Sequence, residues 1–463
     1  MSVRGASLSL IVMLAGCAGP AVKTEKITAV QPAPGWRTPI QNSAPIDAQW
    51  WQGFGDPVLA GLVEKALAHN RDIAIAAARV REAQANVRLA RSQLLPTLDA
   101  GAGAGRSRSV SAFGTPLEQN FAQPQLQTAY EIDLFGRLAD STSAARSAYL
   151  ASEAARDTVR LAITSATASQ YISLLGLDAR LEIARKTLAA RADSLRIATS
   201  RDQAGYAPKL ELRQAQVEYD AAAQIIPQIE GAIARTEDSL SQLTGDVPGA
   251  IARGARLDAL ATPSIPDGLP SQLLDRRPDI AQAANQLAAA DASLSAARKR
   301  FLPQIRLTGS AGAAFSSALV DPITIWSIGG SILAPLFEGG RLRAQADVAA
   351  SQRDQAALAY QRTVLTSFRE VEDALTTVTH LDAQMTLARH QRDTLVDTLR
   401  LATNRYREGY SAYLEQLDAQ RGLLNAELVL AGLQTDVLTA RVQLYQAMGG
   451  GWSAASQAAA TQR

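Results

Sequence analysis

Val364-Leu365-Thr366-Ser367-Phe368-Arg369-Glu370-Val371-Glu372-Asp373-Ala374-Leu375-Thr376-Thr377-Val378 sets Val364, Phe368, Val371, Leu375 and Val378 at alternating steps of four and three. That alternation is the seam of a coiled coil, not the face of a helix buried all round. The seam continues by sevens through Met385, Leu399 and Tyr406, with Arg392 its polar member. Outward from it, no glycine or proline occurs between Arg341 and Glu408, in a chain that carries 31 Gly and 19 Pro. As one helix the stretch would be ~100 Å long at about 1.5 Å per residue. Arg369, Glu370, Glu372, Asp373 and Arg389 lie between the apolar positions, so it is not a membrane span. A rod of this kind requires partners.

The chain supplies a second copy. A shift of 207 positions carries Asp72 onto Asp279, Arg91 onto Arg298, Leu95 onto Leu302 and Pro96 onto Pro303. A shift of 204 carries Arg137-Leu138 onto Arg341-Leu342, Gly205-Tyr206 onto Gly409-Tyr410 and Gly245 onto Gly449. The rod's twin, 137–204, is interrupted by Gly176 alone and has its own series, Leu174, Leu181, Leu188 and Leu195. Landmarks kept in one order over so long a period point to duplication of a large half, not to a solenoid.

The organisation follows. Residues 49–246 form a first repeat: a helix from about Asp56 to Leu95, strands at 97–109 and 124–135, the long helix 137–204, and a return helix 209–244 in which Pro227 predicts a kink. A Gly- and Pro-rich linker covers 247–270. Residues 271–450 form the second repeat: a helix, strands at 303–315 and 323–334, the long helix 341–408, and a return helix 412–448. Residues 451–463 read as a flexible tail. The short turns at Gly205-Tyr206-Ala207-Pro208 and Gly409-Tyr410-Ser411 make each long helix and its return helix antiparallel neighbours.

The strands carry the harder question. Leu126, Tyr130, Ile132 and Leu134 alternate with Gln125, Gln127, Ala129, Glu131 and Asp133. Ile305, Leu307, Ala311, Ala313 and Phe315 alternate with Arg306, Thr308 and Ser310. Thr97 to Ser109 is mostly Gly and Ala, and Ile323 to Ala334 changes phase near Ser327. Each strand is about ten residues, the length of a tilted transmembrane β-strand. A soluble sheet with one wet face gives the same alternation. In a membrane, four strands cannot close a barrel, and their unpaired edges would require several chains to complete it.

Composition narrows the field. The net charge is +2, from 46 basic and 44 acidic residues spread throughout, so no basic face argues for nucleic acid. Aromatic residues make up 5%, thin for large compact cores. His69, His380 and His390 are scattered, and Cys17 stands alone, which gives no metal site and no disulfide within the chain. Arg4, the apolar run Leu8 to Leu14 and small residues form a signal peptide over 1–16. Leu14-Ala15-Gly16-Cys17 resembles a bacterial lipobox, which would place diacylglycerol and an N-acyl chain on Cys17 as the new N-terminus. Ala18 follows, not the Asp that holds many lipoproteins at the inner membrane. Residues 17–48, with Pro20, Pro32, Pro34, Pro39 and Pro45, read as an extended tether.

Several motifs together carry a family resemblance over about Ala48 to Gly450. They are Trp50-Trp51-Gln52-Gly53-Phe54-Gly55-Asp56-Pro57, Arg277-Pro278-Asp279-Ile280, Pro335-Leu336-Phe337-Glu338-Gly339-Gly340-Arg341, Tyr406-Arg407-Glu408-Gly409 and Leu417-Asp418-Ala419-Gln420-Arg421. The chain resembles the TolC/OprM-type outer-membrane efflux lipoproteins, the NodT-like group. The resemblance implies a mainly α fold with a β membrane part, in a homotrimer. Each chain would lend four strands to a shared twelve-stranded outer-membrane barrel and its helical hairpins to a periplasmic α-barrel. The implied partners are outer-membrane lipid, a periplasmic adaptor protein and an inner-membrane RND transporter. No reaction is catalysed and no cofactor is implied beyond the lipid on Cys17.

Glu415 and Asp418 are spaced i, i+3 and share one face of the return helix. By itself that pattern usually marks a solvated helix face. By resemblance they match an acidic ring at the periplasmic entrance; in a trimer, six carboxylates would surround one axis and favour cations. Glu211 matches a gate-bonding acidic position, with Glu here in place of Asp, and Tyr406 matches a gating tyrosine. Ser411 stands where the family has a gate arginine, so the latch falls to Arg405 or Arg407, or is weaker.

The expected function is the exit duct of a tripartite RND-type pump that conducts drugs or other small toxic compounds, with a gated periplasmic tip. The alternatives are the outer-membrane duct of a type I protein secretion system and a coiled-coil lipoprotein without a pore. The lipobox reading has a direct test. Radioactive palmitate should label the wild type and not Cys17→Ser; equal label in both would remove the anchor.

Overall fold

In the computed structural model, which describes residues 24, 30–38, 43–205 and 209–452, the stretch that begins at Arg341 is one unbroken helix. In chain order the elements are helices α1 (Pro57–His69) and α2 (Arg71–Ser92), strands β1 (Thr97–Val110) and β2 (Pro116–Ile132), and helices α3 (Arg137–Gln203) and α4 (Lys209–Thr244). Helices α5 (Pro270–Arg276) and α6 (Pro278–Lys299), strands β3 (Gln304–Ser316) and β4 (Ile323–Leu333), and helices α7 (Arg341–Arg407) and α8 (Tyr413–Ala447) complete the chain. Cys17 and the signal segment lie outside the described residues, as do Tyr206, Ala207, Pro208 and all of the tail after Trp452.

The chain forms two compact units. One is built from Ala78–Ala154 and Gln282–Arg362, the other from Val30–Ala77, Ala155–Ala281 and the chain from Thr363 on. Each unit draws on both halves of the chain.

The first unit holds an antiparallel sheet in the order β1-β2-β3-β4. Its register sorts most side chains, because directly paired residues share a face. Leu117, Phe121, Ile323 and Ile325 nonetheless fall on the more polar face, and Arg106, Arg108 and Glu118 on the more apolar one. Leu98 pairs with Thr128, Leu126 with Ala311 and Ala311 with Trp326; Ile132, Ile305 and Ile332 form another row. On the opposite face Asp99, Gln127, Ser310 and Ser327 form a row, and so do Glu131, Arg306 and Ser331. The irregular strands fall into place: even-numbered Trp326, Ile328 and Ile332 of β4 join the apolar face, which is largely exposed. Strands β1 and β4 are each paired on one side only.

Two turns set the helices beneath this sheet. Gly136 takes φ +71°, and the Asp133 carboxylate accepts hydrogen bonds from the Leu138 and Ala139 N–H groups at 3.0 and 2.8 Å, capping α3. Gly339 and Gly340 take positive φ before α7. Leu294, Ala297, Ala349 and Ala350 pack as one cluster between α6 and α7.

The second unit is centred on Trp50, Trp51, Phe54, Tyr171, Ile172, Leu174, Leu438, Val442 and Tyr445. The Trp50 ring stacks on Tyr445 at 5.2 Å. Beneath them Asp56 caps α1 by accepting from the Val58 N–H at 2.8 Å. Its other oxygen accepts from the Tyr171 hydroxyl at 2.8 Å and the Ala255 N–H at 2.9 Å. A buried carboxylate is thus fully occupied, as its burial demands.

Several boundaries differ from the sequence reading. The leading helix breaks at Asn70, whose buried side chain accepts from the Asp72 and Ile73 N–H groups and starts α2 anew. Strand β2 begins at Pro116, not at 124, and ends at Ile132. Helix α4 runs on through Pro227. The linker after Val247 is packed: Leu257 and Leu260 join the core, and Ile265–Pro266 pairs with Ser43–Ala44. Part of the tether is packed as well, since the Trp36 Nε1–H donates to the Gly268 carbonyl at 2.7 Å and its ring meets Phe368 edge-on at 6.3 Å.

Helix α3 also continues through Gly176, and here the glycine has a packing reason. A Cβ at Gly176 would overlap the Thr435 side chain on α8. Alanine would gain about 1 kcal/mol of helix propensity, while overpacking costs about 1–3 kcal/mol. Gly176→Ala should therefore lower the melting temperature, and a higher one would show that α8 yields freely.

Candidate functional site

The turns that close the long helices lie in the second unit. Helix α7 ends at Arg407, and Gly409 takes φ +79°, which lets the Tyr410 N–H return to the Arg405 carbonyl at 2.8 Å. Gly205 takes φ +78° after α3. A small apolar cluster fills the space behind the turns: Ala198, Ala215, Tyr406, Tyr413 and Leu417, with Leu195 and Leu212 against it.

Within this cluster Tyr406 and Glu211 meet. The Tyr406 hydroxyl donates to Glu211 Oε1, tying α7 to α4. Burial first, then this carboxylate, pushes the Tyr406 hydroxyl well above the usual tyrosine range. The arginine at the pair is Arg201, from the last turn of α3. Its guanidinium carbon lies 4.5 Å from the Tyr406 ring centroid, and its Nη1 lies 3.9 Å from Glu211 Oε1. One cation therefore faces both a ring and the carboxylate that the ring's hydroxyl contacts.

The sequence-level arginines lie elsewhere. Arg405 Nε is 3.1 Å from Glu415 Oε1, an exposed pair linking α7 to α8. Arg407 forms no hydrogen bond or ion pair among the described residues, and neither reaches the Tyr406–Glu211 contact. Ser411 buries its hydroxyl without a hydrogen-bond partner among the described residues. Glu415 and Asp418 are both exposed on α8, and Asp418 acts electrostatically on Arg421.

A second polar group was missed in the sequence. Arg191, 2% exposed, donates to Gln420 and lies 3.3 Å from Glu218 Oε2. Arg421 binds the other Glu218 oxygen, with its Nε at 3.0 Å. Glu218 thus joins α3, α4 and α8. Burial pulls the Arg191 guanidinium below its ordinary value, and the Glu218 charge opposes that pull. Burial raises the Tyr413 hydroxyl, with Arg191 acting against it. The signal was available: Ala184, Arg191 and Ala198 are buried at intervals of seven, three positions beyond the half-buried Leu181, Leu188 and Leu195.

Nothing in this arrangement is set up for covalent chemistry. Tyr406, Glu211, Arg201, Arg191, Glu218 and Arg421 are engaged with one another or with their neighbours, and they hold helix ends together. Among the described residues, no group of three or more His, Cys, Asp or Glu side chains could hold a metal ion, and no helix is long and apolar enough to cross a membrane.

Comparison with known proteins agrees with this architecture. The family description "outer membrane efflux protein" matches residues 62–246 and 269–450. The solvent efflux pump outer membrane protein SrpC of Pseudomonas putida is 35% identical over 444 residues, covering 89% of this chain and 94% of its own length. The pyoverdine export outer membrane protein OpmQ of Pseudomonas putida is 34% identical over 463 residues, covering 97% of each. Among solved structures, the outer-membrane channel OprN superposes with a TM-score of 0.85 at 27% identity, over 94% of this chain and 99% of its own. With a matching helix-rich fold and residues 62–246 and 269–450 inside the family match, this chain belongs to the outer membrane efflux protein family.

Proposed function

We propose that this protein is the outer-membrane exit duct of a tripartite RND-type efflux pump, passing small toxic compounds outward without catalysing a reaction. The observation that carries the reading is the sheet β1-β2-β3-β4. One face is the more apolar and is exposed, carrying Leu98, Leu126, Ile132, Trp326, Ile328 and Ile332, the other is the more polar, and both edges are unpaired among the described residues. In lipid those edges must be satisfied by other strands. Three copies would close a twelve-stranded barrel with its apolar face outward, so the duct is a homotrimer. The duplicated hairpins α3–α4 and α7–α8 would line its periplasmic part, and their turns would meet a periplasmic adaptor and, with it, the inner-membrane transporter. The diacylglycerol and N-acyl chains on Cys17 would anchor each chain.

The tip is the gate in this reading. Tyr406, Glu211 and Arg201 form the latch, in place of the arginines expected at 405 and 407. Glu415 and Asp418 form the acidic ring, with Glu415 partly offset by Arg405. A pyoverdine-type or solvent-type cargo, as in the names of the relatives, would be chosen by the transporter.

Planar-bilayer recording tests the duct and its parts together. Purified protein should conduct, and a non-conducting protein would favour the structural-lipoprotein alternative. Glu415→Ala with Asp418→Ala should reduce cation selectivity; an unchanged reversal potential removes the ring. Arg201→Gln and Glu211→Gln should each raise the open fraction about fivefold or more, as expected for loss of ~1 kcal/mol.

The latch also has a pH signature. The raised Tyr406 pKa means its protonated form stabilises the fold. That contribution is complete below about pH 10, the ordinary tyrosine value, and is lost as the pH rises through the higher folded value. In a phenolate absorbance titration, Tyr406→Phe should remove one equivalent from the late-ionising fraction. Removal from the early fraction would place Tyr406 in solvent.

A further inference from the structure

In the first unit a groove of about 620 Å³ runs between α2 and α3, lined by Gln84, Arg88, Arg91, Thr142, Arg146 and Tyr149 and backed by Val87. Arg88 and Arg91 share one face of α2 at i, i+3, and Arg146 faces them from α3. No carboxylate lines the groove. None of the three guanidinium groups has an ion pair or hydrogen bond with any described residue, whereas the first unit's neighbouring cations do: Lys299 pairs with Asp140 at 2.6 Å and Arg137 with Glu131 at 2.6 Å. Glu153, one turn along α3 from the groove-lining Tyr149, accepts from the Tyr149 hydroxyl at 2.7 Å.

The repeat shifts keep one of the three arginines, carrying Arg91 onto Arg298, but not the other two. They carry Val87 and Arg88 onto Leu294 and Ser295, and Thr142 and Arg146 onto Ala346 and Ala350. There the seam is closed: Leu294 and Ala350 are buried in one apolar cluster, and Ala346 is fully buried. Three like charges around an open groove repel one another unless an anion sits among them.

Position narrows the anion. Helix α2 ends at Ser92, next to the exposed Leu95 and the start of β1 at Thr97. Leu134, Leu336 and Phe337, at the bases of the other strands, are exposed too. These residues extend the apolar face of the sheet toward the helices, and the arginines follow within about one to three turns. Long basic side chains at that depth reach back to the headgroup layer, and basic pockets beside membrane segments bind lipid phosphates. We propose that the α2–α3 groove binds the phosphate of a phospholipid headgroup from the periplasmic leaflet, held by Arg88, Arg91 and Arg146 with Gln84 and Thr142 as further hydrogen-bonding groups. This rests on the reading that the sheet lies in the outer membrane.

Native mass spectrometry of detergent-purified, delipidated protein tests it, with phosphatidylglycerol and inorganic phosphate as separate and competing probes. The wild type should bind phosphatidylglycerol and not be stripped by phosphate. Arg88→Gln/Arg91→Gln/Arg146→Gln should weaken lipid binding about 100-fold, while Arg79→Gln/Arg81→Gln, on α2 outside the groove, should not change it. If the triple variant does not fold, Arg91→Gln alone should give about a fivefold loss. Lipid binding that is unchanged in the groove variants overturns the site, and phosphate binding without lipid preference overturns the lipid assignment. Bilayer conductance of the same wild-type sample separates the two readings: a conducting protein whose lipid binding ignores the arginines sinks the groove alone.

Discussion

A helix of 67 residues with only a narrow apolar stripe has to have that stripe covered along its course, or it is a solvated rod of marginal stability. This chain meets the constraint with alanine. Along α3 the buried positions include Ala151, Ala154, Ala168, Ala184 and Ala198; along α7 they include Ala346, Ala350, Ala357, Ala374 and Ala402. Alanine is the best helix former and lets helices approach to ~8 Å, the close end of the packing range. Each contributes little buried area, so length supplies what size does not. The low aromatic content follows from this design. The large rings are concentrated where helices end: Trp50, Trp51, Phe54 and Tyr445 around the Asp56 cap, and Tyr406 and Tyr413 behind the turns.

The same constraint decides how much of the fold could be read beforehand. The α7 seam was legible because it keeps one track: Val364, Val371, Val378 and Met385 are all buried. The α3 seam was legible only in part. An α-helix drifts ~20° per heptad against a strict seven-residue repeat, and the buried line moves from Leu174 to Ala184, Arg191 and Ala198. A reading by leucines alone follows the wrong track and leaves out the arginine. Strand β2 was shortened for another reason. Pro124 argues against a central strand, since it cannot donate to a ladder. The structure accommodates it by leaving two residue pairs out of the ladder: the pairing with β3 passes from Ala122–Phe315 to Gln125–Gly312, and Gly312 leaves room for the Pro124 carbonyl.

The tip was less legible than the fold. Tyr406 and Glu211 could be singled out only through resemblance, because their contact spans 195 positions. Arg201 was missed because Arg405 and Arg407 are closer in sequence to Tyr406, yet a helix carries i±1 neighbours to other faces. Arg405 turns to Glu415 instead, leaving the ring of Tyr406 to a cation from α3. Local sequence reports which faces of a helix are polar; it does not report which partner helix those faces meet.

The repeat correspondence sharpens that point, since the two hairpins close by different chemistry at one equivalent place. A shift of 204 carries Arg191 onto Leu395 and Glu218 onto Gly422. Between α3 and α4 the contact is an ion pair at 3.3 Å, with Arg191 almost fully buried. Between α7 and α8 it is a close approach: a Cβ on Gly422 would lie 3.2 Å from Leu395 Cδ2. A buried arginine needs a partner, and losing it leaves an uncompensated charge, whereas a glycine–leucine contact has no such requirement. Only the first hairpin can therefore extend its contact into a network, and it does, through Arg421 to α8. The two hairpins thus have unequal tips. The asymmetry lies in the side chains that fill the seam, while the backbone turns at Gly205 and Gly409 remain alike at φ +78° and +79°.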